Sequence, residues 1–213
     1  ISPEVTREII AYGMDISISR LDIAKNFSAI EAKLLIPKFF IGDLNQLPLM
    51  DNSIDLSLTM HAIEPNGGKE KQILNELIRV SRNYIVLAEP IYETATAEQQ
   101  KRMEHFGYIK ELRTLLHESE LVDVVCETLV PEELVSNPVN RTTILIAKKK
   151  IASTNNATNS SDIFACPITH TPITRQDNFW LSSEGSCYPE VNKFPLLRTK
   201  FALPYYQQSK FLY

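Results

Sequence analysis

Residues 40–64, FIGDLNQLPLMDNSIDLSLTMHAIE, constrain the fold more than any other part of this chain. Their apolar runs predict two buried strands, separated by an acidic turn, a Leu-Pro step and an Asp-Asn-Ser turn. Polar side chains follow both strands: Asp43 follows the first, and His61 and Glu64 follow the second. In open α/β sheets, ligands bind outside the carboxyl ends of the strands. The stretch therefore predicts a small-molecule pocket on a parallel sheet.

Strand and helix patterns alternate before residue 150, and this order predicts an α/β layer fold. The predicted strands are 9–16, 38–41, 54–60, 84–88, 122–129 and 142–147, and the predicted helices are 19–35, 69–81 and 96–118. Gly107 is expected to break the last helix. Pro131 and Asn137-Pro138 separate the last two strands, which we expect to form an antiparallel pair at the edge of the sheet.

Composition excludes several classes of partner. The formal net charge of −4 provides no general basic surface, so we do not expect nucleic acid as the partner. No stretch approaches the ~18 apolar residues of a membrane span, and no signal peptide is visible, so we expect no membrane contact. Three cysteines, Cys126, Cys166 and Cys187, form no dense disulfide framework, which favours a reducing cytoplasm.

A change in composition divides the chain. Residues 151–161, IASTNNATNSS, read as a polar linker because they lack any apolar period. Residues 162–213 are rich in Pro, Tyr and Phe and contain short β-like pieces, which predicts a small second module. The predicted organisation is therefore a domain at 1–150, a linker at 151–161 and a small module at 162–213.

Two acidic residues at predicted strand ends are candidates for nucleoside binding. An acid at such a position can accept two hydrogen bonds from a ribose diol, and Asp15 is placed for that role. Ile16 can then cover one face of an adenine ring. Asp43 can accept a hydrogen bond from an adenine amino group, with Leu44 supplying a backbone amide and an apolar wall. The alternative is that both acids only stabilise turns or cap helices.

The series GMDIS, GDLNQLP and DNSIDLSLTMHAIE resembles the class I S-adenosylmethionine-dependent methyltransferases in order and spacing. The similarity continues through NELIRVSRN, YIVLAEP and GYIKELRTLLHESEL, and covers roughly residues 1–150. The resemblance implies a Rossmann-like fold with a doubly wound, mostly parallel sheet and S-adenosylmethionine as cofactor. It also implies the following contacts: ribose with Asp15, adenine with Ile16, Asp43 and Leu44, and a cofactor-lining position at His61.

One element of that family is missing from the printed chain. The family has a first strand that ends in a glycine-rich turn, whereas this chain has six glycines and no Gly-x-Gly. Its first residues correspond to the helix after that turn. We expect the glycine-rich segment to precede Ile1, because a sheet without its central strand would leave apolar strand edges unpaired. The alternative is an incomplete cofactor site.

Methyl transfer requires a positioned acceptor and, for many acceptors, a base. His61 is the candidate base because imidazole titrates near neutrality, and Glu64 can orient it or contact the substrate. The alternative is that His61 packs against the cofactor or caps the following helix. Glu89 and Tyr92, which follow the next strand, are candidates for the rim of the pocket.

The expected acceptor is a small molecule. The Asn-Pro-Pro-Tyr or Asp-Pro-Pro-Tyr pattern of enzymes that methylate amino groups on planar bases or glutamine is absent, and AIEPNGG stands in its place. Oxygen or carbon on a small molecule is therefore the expected methyl acceptor. Two alternatives stay open: a non-catalytic scaffold that recruits a partner, and a different nucleotide- or dinucleotide-binding enzyme.

The last segment, FACPITHTPIT with WLSSEGSCYPEVNKFPLL, resembles small zinc-ribbon-like proteins that partner and stabilise methyltransferases. Zinc requires four ligands, and Cys166, His170 and Cys187 provide three at most, so we expect no metal. We expect the aromatic side chains of this module to form its own core, to cover an edge of the sheet, or to join two copies into a homodimer.

Overall fold

The structure is a computed structural model, and it describes residues 9–31, 37–134, 141–150 and 163–205. The predicted linker at 151–161 lies outside the described residues. Contacts group the chain into two units. The first contains the described parts of 1–43 and 164–213, and the second those of 44–163. The predicted division into a domain at 1–150, a linker at 151–161 and a module at 162–213 stays a prediction.

Strands and helices follow the predicted order, with small shifts at their ends. The strands are β1 Tyr12–Asp15, β2 Lys38–Ile41, β3 Ile54–Met60, β4 Ser81–Glu89, β5 Val122–Leu129, β6 Thr143–Lys149, β7 Ile173–Gln176, β8 Phe179–Ser182, β9 Ser186–Val191, β10 Phe194–Pro195 and β11 Leu203–Pro204. The helices are α1 Ile18–Glu31, α2 Glu70–Val80, α3 Ala97–His105 and α4 Leu112–Glu118. Gly107, at φ +66°, separates α3 from α4 as predicted. No helix among the described residues is long and apolar enough to cross a membrane.

The second unit contains a mixed four-stranded sheet in the order β3-β4-β6-β5. β3 and β4 are parallel, whereas β6 is antiparallel to both β4 and β5. The predicted antiparallel pair at the edge is therefore confirmed. The expectation of a mostly parallel sheet is met only in part, with one parallel pair here and one in the first unit. Two strands that pair in parallel need a crossover connection of a dozen or more residues, which is usually a helix. The described residues between β5 and β6 form only a short 3-10 turn, which is consistent with antiparallel pairing.

One face of this sheet is covered by helices. α2 carries apolar residues on a single side, packs on β3 and β4, and contacts α4, which packs on β5. The covered face is buried: Ile85, Leu87, Leu145 and Ala147 are almost completely inaccessible to solvent. These residues alternate along their strands, as expected for one face of a pleated sheet.

The opposite face is apolar and open. Leu56, Leu58 and Met60 of β3 are 51%, 63% and 71% exposed, and Tyr84 of β4 lies beside them. Within the described residues, no strand pairs with the second edge of β3 or with that of β1. The β3 sequence therefore has the apolar composition of a buried strand, although one of its faces is in contact with solvent.

The first unit joins two distant parts of the chain. β1 and β2 are parallel and connected by α1, with Asp15 paired to Ile41. On the other edge of β2, Ile41 forms a parallel bridge to Leu196, and the Leu197 amide donates to the Ile41 carbonyl at 2.8 Å. The small carboxy-terminal module thus extends the β1–β2 pair through its backbone, and covering an edge of the sheet is one of the three roles left open for it.

The module itself is an antiparallel sheet in the order β10-β9-β8-β7, with β11 also paired to β9. Phe164 forms edge-to-face contacts with Phe40 of β2 and with Trp180 of β8, both at 5.0 Å between ring centroids. Phe194 is buried with Leu21, Ile41 and Leu196. Aromatic and aliphatic burial therefore attaches the module to β2 and α1.

We predict that Phe194→Ala destabilises the first unit by about 3–5 kcal/mol, because it empties a fully buried site. The measurement is urea unfolding followed by the fluorescence of Trp180, the single tryptophan of the chain. Phe179→Ala, on exposed β8 surface of the same module, is the matched control and should change stability by less than about 1 kcal/mol. Equal effects of the two substitutions would contradict the packing described here.

Candidate functional site

His61 directly follows β3 and has an unusual backbone conformation. Its amide continues the ladder by donating to the Ala88 carbonyl at 3.0 Å, but its φ is +50°. Such a conformation costs a non-glycine residue roughly 1–3 kcal/mol and persists only when surrounding contacts hold the backbone in place. The backbone therefore turns at the carboxyl end of β3, at the residue predicted to carry the chemistry.

The imidazole of His61 lies between a carboxylate and a hydroxyl. Nδ1 is 2.8 Å from Oε2 of Glu64, and Nε2 is 2.7 Å from Oγ1 of Thr142, which precedes β6. When the Glu64 carboxylate accepts the Nδ1 proton, Nε2 is the acceptor for a hydroxyl hydrogen. The structure therefore brings the two predicted catalytic residues together and adds Thr142 as a third member.

Glu89, the last residue of β4, is fully buried beneath this loop and does not lie at the rim of a pocket. Its carboxylate accepts hydrogen bonds from the amides of Ala62, Ile63 and Glu64 at 3.1, 3.3 and 3.3 Å. Burial raises the pKa of Glu89, and the hydrogen bonds to its carboxylate offset part of that rise. Glu89 therefore fixes the backbone that presents His61 and Glu64.

A small, open depression of about 40 Å³ lies beside the ends of β4 and β6. Its lining includes apolar residues together with Arg141 and Thr143, the two neighbours of Thr142. The lining residues are Pro90, Ile91, Thr94, Ala95, Thr96, Gln99, Met103, Leu129, Arg141 and Thr143. Small-molecule sites typically enclose roughly 300–1,000 Å³, so this depression alone is too small to hold a substrate.

The two acids predicted for nucleoside binding lie at the ends of adjacent parallel strands in the first unit. Asp15 ends β1, accepts the Ser17 amide at 2.8 Å, and lies 3.8 Å from the Arg20 guanidinium. Asp43 follows β2 and accepts a hydrogen bond from Arg198 at 2.7 Å. The structure therefore places both carboxylates at the same end of one parallel pair.

These residues fit the adenosine part of a cofactor. Carboxylates are suitable acceptors for the donor groups of a ribose diol and an adenine amino group. Both are only partly buried, and Ile16 beside them is 61% exposed, which leaves apolar surface for a planar ring. Leu44 lies in the turn after Asp43. The cofactor contacts expected from Ile16, Leu44 and His61 stay predictions.

Sequence reasoning missed Thr142 and Arg198. Thr142 bonds a residue 81 positions away, and Arg198 one 155 positions away. Neither lies in a local motif, so only the pairing of distant strands brings them to these sites. In the carboxy-terminal module, Cys166 Sγ contacts the Tyr188 hydroxyl at 3.1 Å. The described residues contain no cluster of His, Cys, Asp and Glu that is able to hold a metal ion.

Two solved structures are similar to this chain over about two thirds of its length. One is a SAM-dependent methyltransferase from Methanosarcina mazei, with a TM-score of 0.51 and 15% identity over 65% of this chain and 81% of that chain. The other is magnesium protoporphyrin IX methyltransferase from Synechocystis PCC 6803 with bound SAH, with a TM-score of 0.50 and 16% identity over 66% of this chain and 64% of that chain. No protein-family profile matches the sequence, and no curated protein is significantly similar to it.

These similarities show the fold. The chain has the mixed α/β architecture of the SAM-dependent methyltransferases, with a β-rich carboxy-terminal part. At these identities the comparison defines the backbone arrangement, so the chemistry has to be argued from the residues at the strand ends.

We predict that Glu89 makes stability depend on pH. The pKa of Glu89 in the folded protein lies above the ordinary value of 4.5, so the folded state binds this proton more tightly than the unfolded state. The stabilisation that results is complete below pH 4.5 and is lost as the pH rises through the raised pKa. The free energy of unfolding of the wild type minus that of Glu89→Gln should therefore fall as the pH rises above 4.5. Chemical unfolding at several pH values measures this difference.

Glu104 provides a control of opposite sign. Hydrogen bonds from Tyr92 and Lys110 lower the pKa of this exposed carboxyl, so its contribution is lost as pH falls. The free energy of unfolding of the wild type minus that of Glu104→Gln should therefore rise with pH. A difference for Glu89→Gln that rises in the same way would contradict the buried state of Glu89.

Proposed function

We propose that this protein is an S-adenosylmethionine-dependent methyltransferase that transfers the methyl group to oxygen or carbon of a small molecule. The observation that supports this most directly is the Glu64–His61 pair at the carboxyl end of β3 in a methyltransferase fold. Strand ends are where α/β sheets bind ligands, and a carboxylate-oriented imidazole is suited to proton removal.

Asp15 and Asp43 are proposed to bind the adenosine part of the cofactor. Asp15 would accept hydrogen bonds from the ribose diol, and Asp43 one from the adenine amino group, with Ile16 and Leu44 as apolar walls. When bound, S-adenosylmethionine supplies a methyl group on a positively charged sulfur. The protein residues then have to align the acceptor and remove its proton.

His61 is proposed to remove that proton through Nε2. Thr142 marks the direction of approach, because its hydroxyl already lies at hydrogen-bond distance from Nε2. A substrate hydroxyl or acidic C–H that replaced Thr142 would present its proton to the same nitrogen. Glu64 would then stabilise the imidazolium, as a carboxylate behind a catalytic histidine does. The rival role, in which His61 packs against the cofactor, is distinguished by the tests below.

A small-molecule acceptor is favoured by the net charge of −4, which provides no general basic surface for nucleic acid. One similar structure is a magnesium protoporphyrin IX methyltransferase, which also acts on a small molecule. The zinc-ribbon-like origin of the carboxy-terminal module, a homodimer formed through it, and a cytoplasmic location stay predictions.

We predict that the full-length protein binds S-adenosylmethionine and S-adenosylhomocysteine, and that Asp15→Ala weakens this binding at least tenfold. The loss follows because a carboxylate that accepts hydrogen bonds from the ligand is removed. Isothermal titration calorimetry measures both constants. Asp22→Ala, on α1 in the same unit, is the matched control and should bind like the wild type. Absence of binding by the full-length protein would favour the scaffold, and binding of NAD instead would favour a dinucleotide enzyme.

We predict that His61→Gln and Glu64→Gln each lower kcat by roughly 10²–10⁴-fold, because each disrupts the proposed general base. Transfer of a radiolabelled methyl group to a panel of small hydroxylated and carbon-acid acceptors measures this. His117→Gln is the matched control, because His117 also pairs with a glutamate, Glu127 at 3.1 Å. If His61→Gln weakens cofactor binding but leaves kcat unchanged, His61 lines the cofactor and is not the base.

A further inference from the structure

Asp43 receives a charged partner from the carboxy-terminal module. Nη2 of Arg198 lies 2.7 Å from Oδ2 of Asp43, and the two side chains are only 18% and 29% exposed. The sequence separates these residues by 155 positions. A module that lies far away along the chain therefore supplies the cation that contacts a proposed cofactor residue.

The backbone register explains why these two residues meet. Ile41 and Leu196 form a parallel bridge, and Asp43 and Arg198 each lie two residues further along their segments. In a parallel pair, residues two positions beyond a bridge come side by side again and point to the same face. The buried cluster of Leu21, Ile41, Phe194 and Leu196 holds this register in place.

The pair has the features that make a charge contact effective. Charge-assisted hydrogen bonds are short and roughly twice as strong as neutral ones. Partial burial reduces solvent screening, which makes exposed ion pairs weak. The Arg198 guanidinium therefore holds the Asp43 carboxylate in one orientation at the end of β2.

We propose that Arg198 is a positioning residue that holds Asp43 in place to bind adenine, so that the carboxy-terminal module sets the affinity for the cofactor. This inference rests on the proposed function. The module thus acts as an internal activator of the nucleoside site.

The test is calorimetric titration of the full-length protein with S-adenosylhomocysteine. Arg198→Ala should weaken binding by about 5- to 30-fold, which corresponds to the loss of one positioned charge-assisted hydrogen bond. Arg198→Lys should retain part of the wild-type affinity, because lysine keeps the positive charge. Arg175→Ala is the matched control: Arg175 pairs with Glu190 in the same module at 2.9 Å, is 51% exposed, and should leave binding unchanged.

A double-mutant cycle shows whether Arg198 acts through Asp43. In the Asp43→Ala background, Arg198→Ala should cause no further loss of binding. Further loss there, or wild-type affinity of the single Arg198→Ala variant, would overturn the inference while leaving the proposed function intact. Absence of binding by the wild type would overturn the proposed function and this inference with it. The Trp180 unfolding transition identifies any variant whose first unit is not folded.

Discussion

The site in the second unit depends on a buried carboxylate. Removing an ion from water is costly, and Glu89 is tolerated because three consecutive amides of the loop after β3 donate to it. The same bonds fix the path of that loop. His61 can therefore keep its left-handed backbone and place its ring between Glu64 and Thr142. Without this anchor, neither the strain at His61 nor the alignment of its ring would persist.

The local parts of this arrangement could be predicted from the sequence. β3 has the bounds that its apolar run indicates, α2 differs by one residue at each end, and Gly107 separates two helices, because period and turn chemistry are encoded locally. Strand partners are not encoded in this way. His61 contacts the distant Thr142, and Asp43 contacts the distant Arg198. The β-bulge between Val124 and Cys126 likewise has no recognisable sequence pattern. The His61–Glu64 pair was predictable because both residues share one short loop.

The first unit shows how a sheet edge can be covered by a module from the far end of the chain. An exposed strand edge is a template for unwanted pairing, and β2 is protected by the segment that carries Leu196 and Leu197. Inside the module, a hydrogen bond between Cys166 and Tyr188 crosses the buried interior. Aromatic packing of Phe164 on Phe40 and Trp180 attaches the module to β2.

The solvent-facing leucines of β3 affect how the protein behaves in solution. Leu56, Leu58, Met60 and Tyr84 form an apolar surface next to an edge of β3 with which no described strand pairs, a combination that promotes self-association. Retention on a sizing column will then depend on concentration and on salting-out ions, which strengthen apolar contacts. An apparent molecular mass obtained under one condition therefore includes nonspecific self-association through this surface as well as any specific assembly.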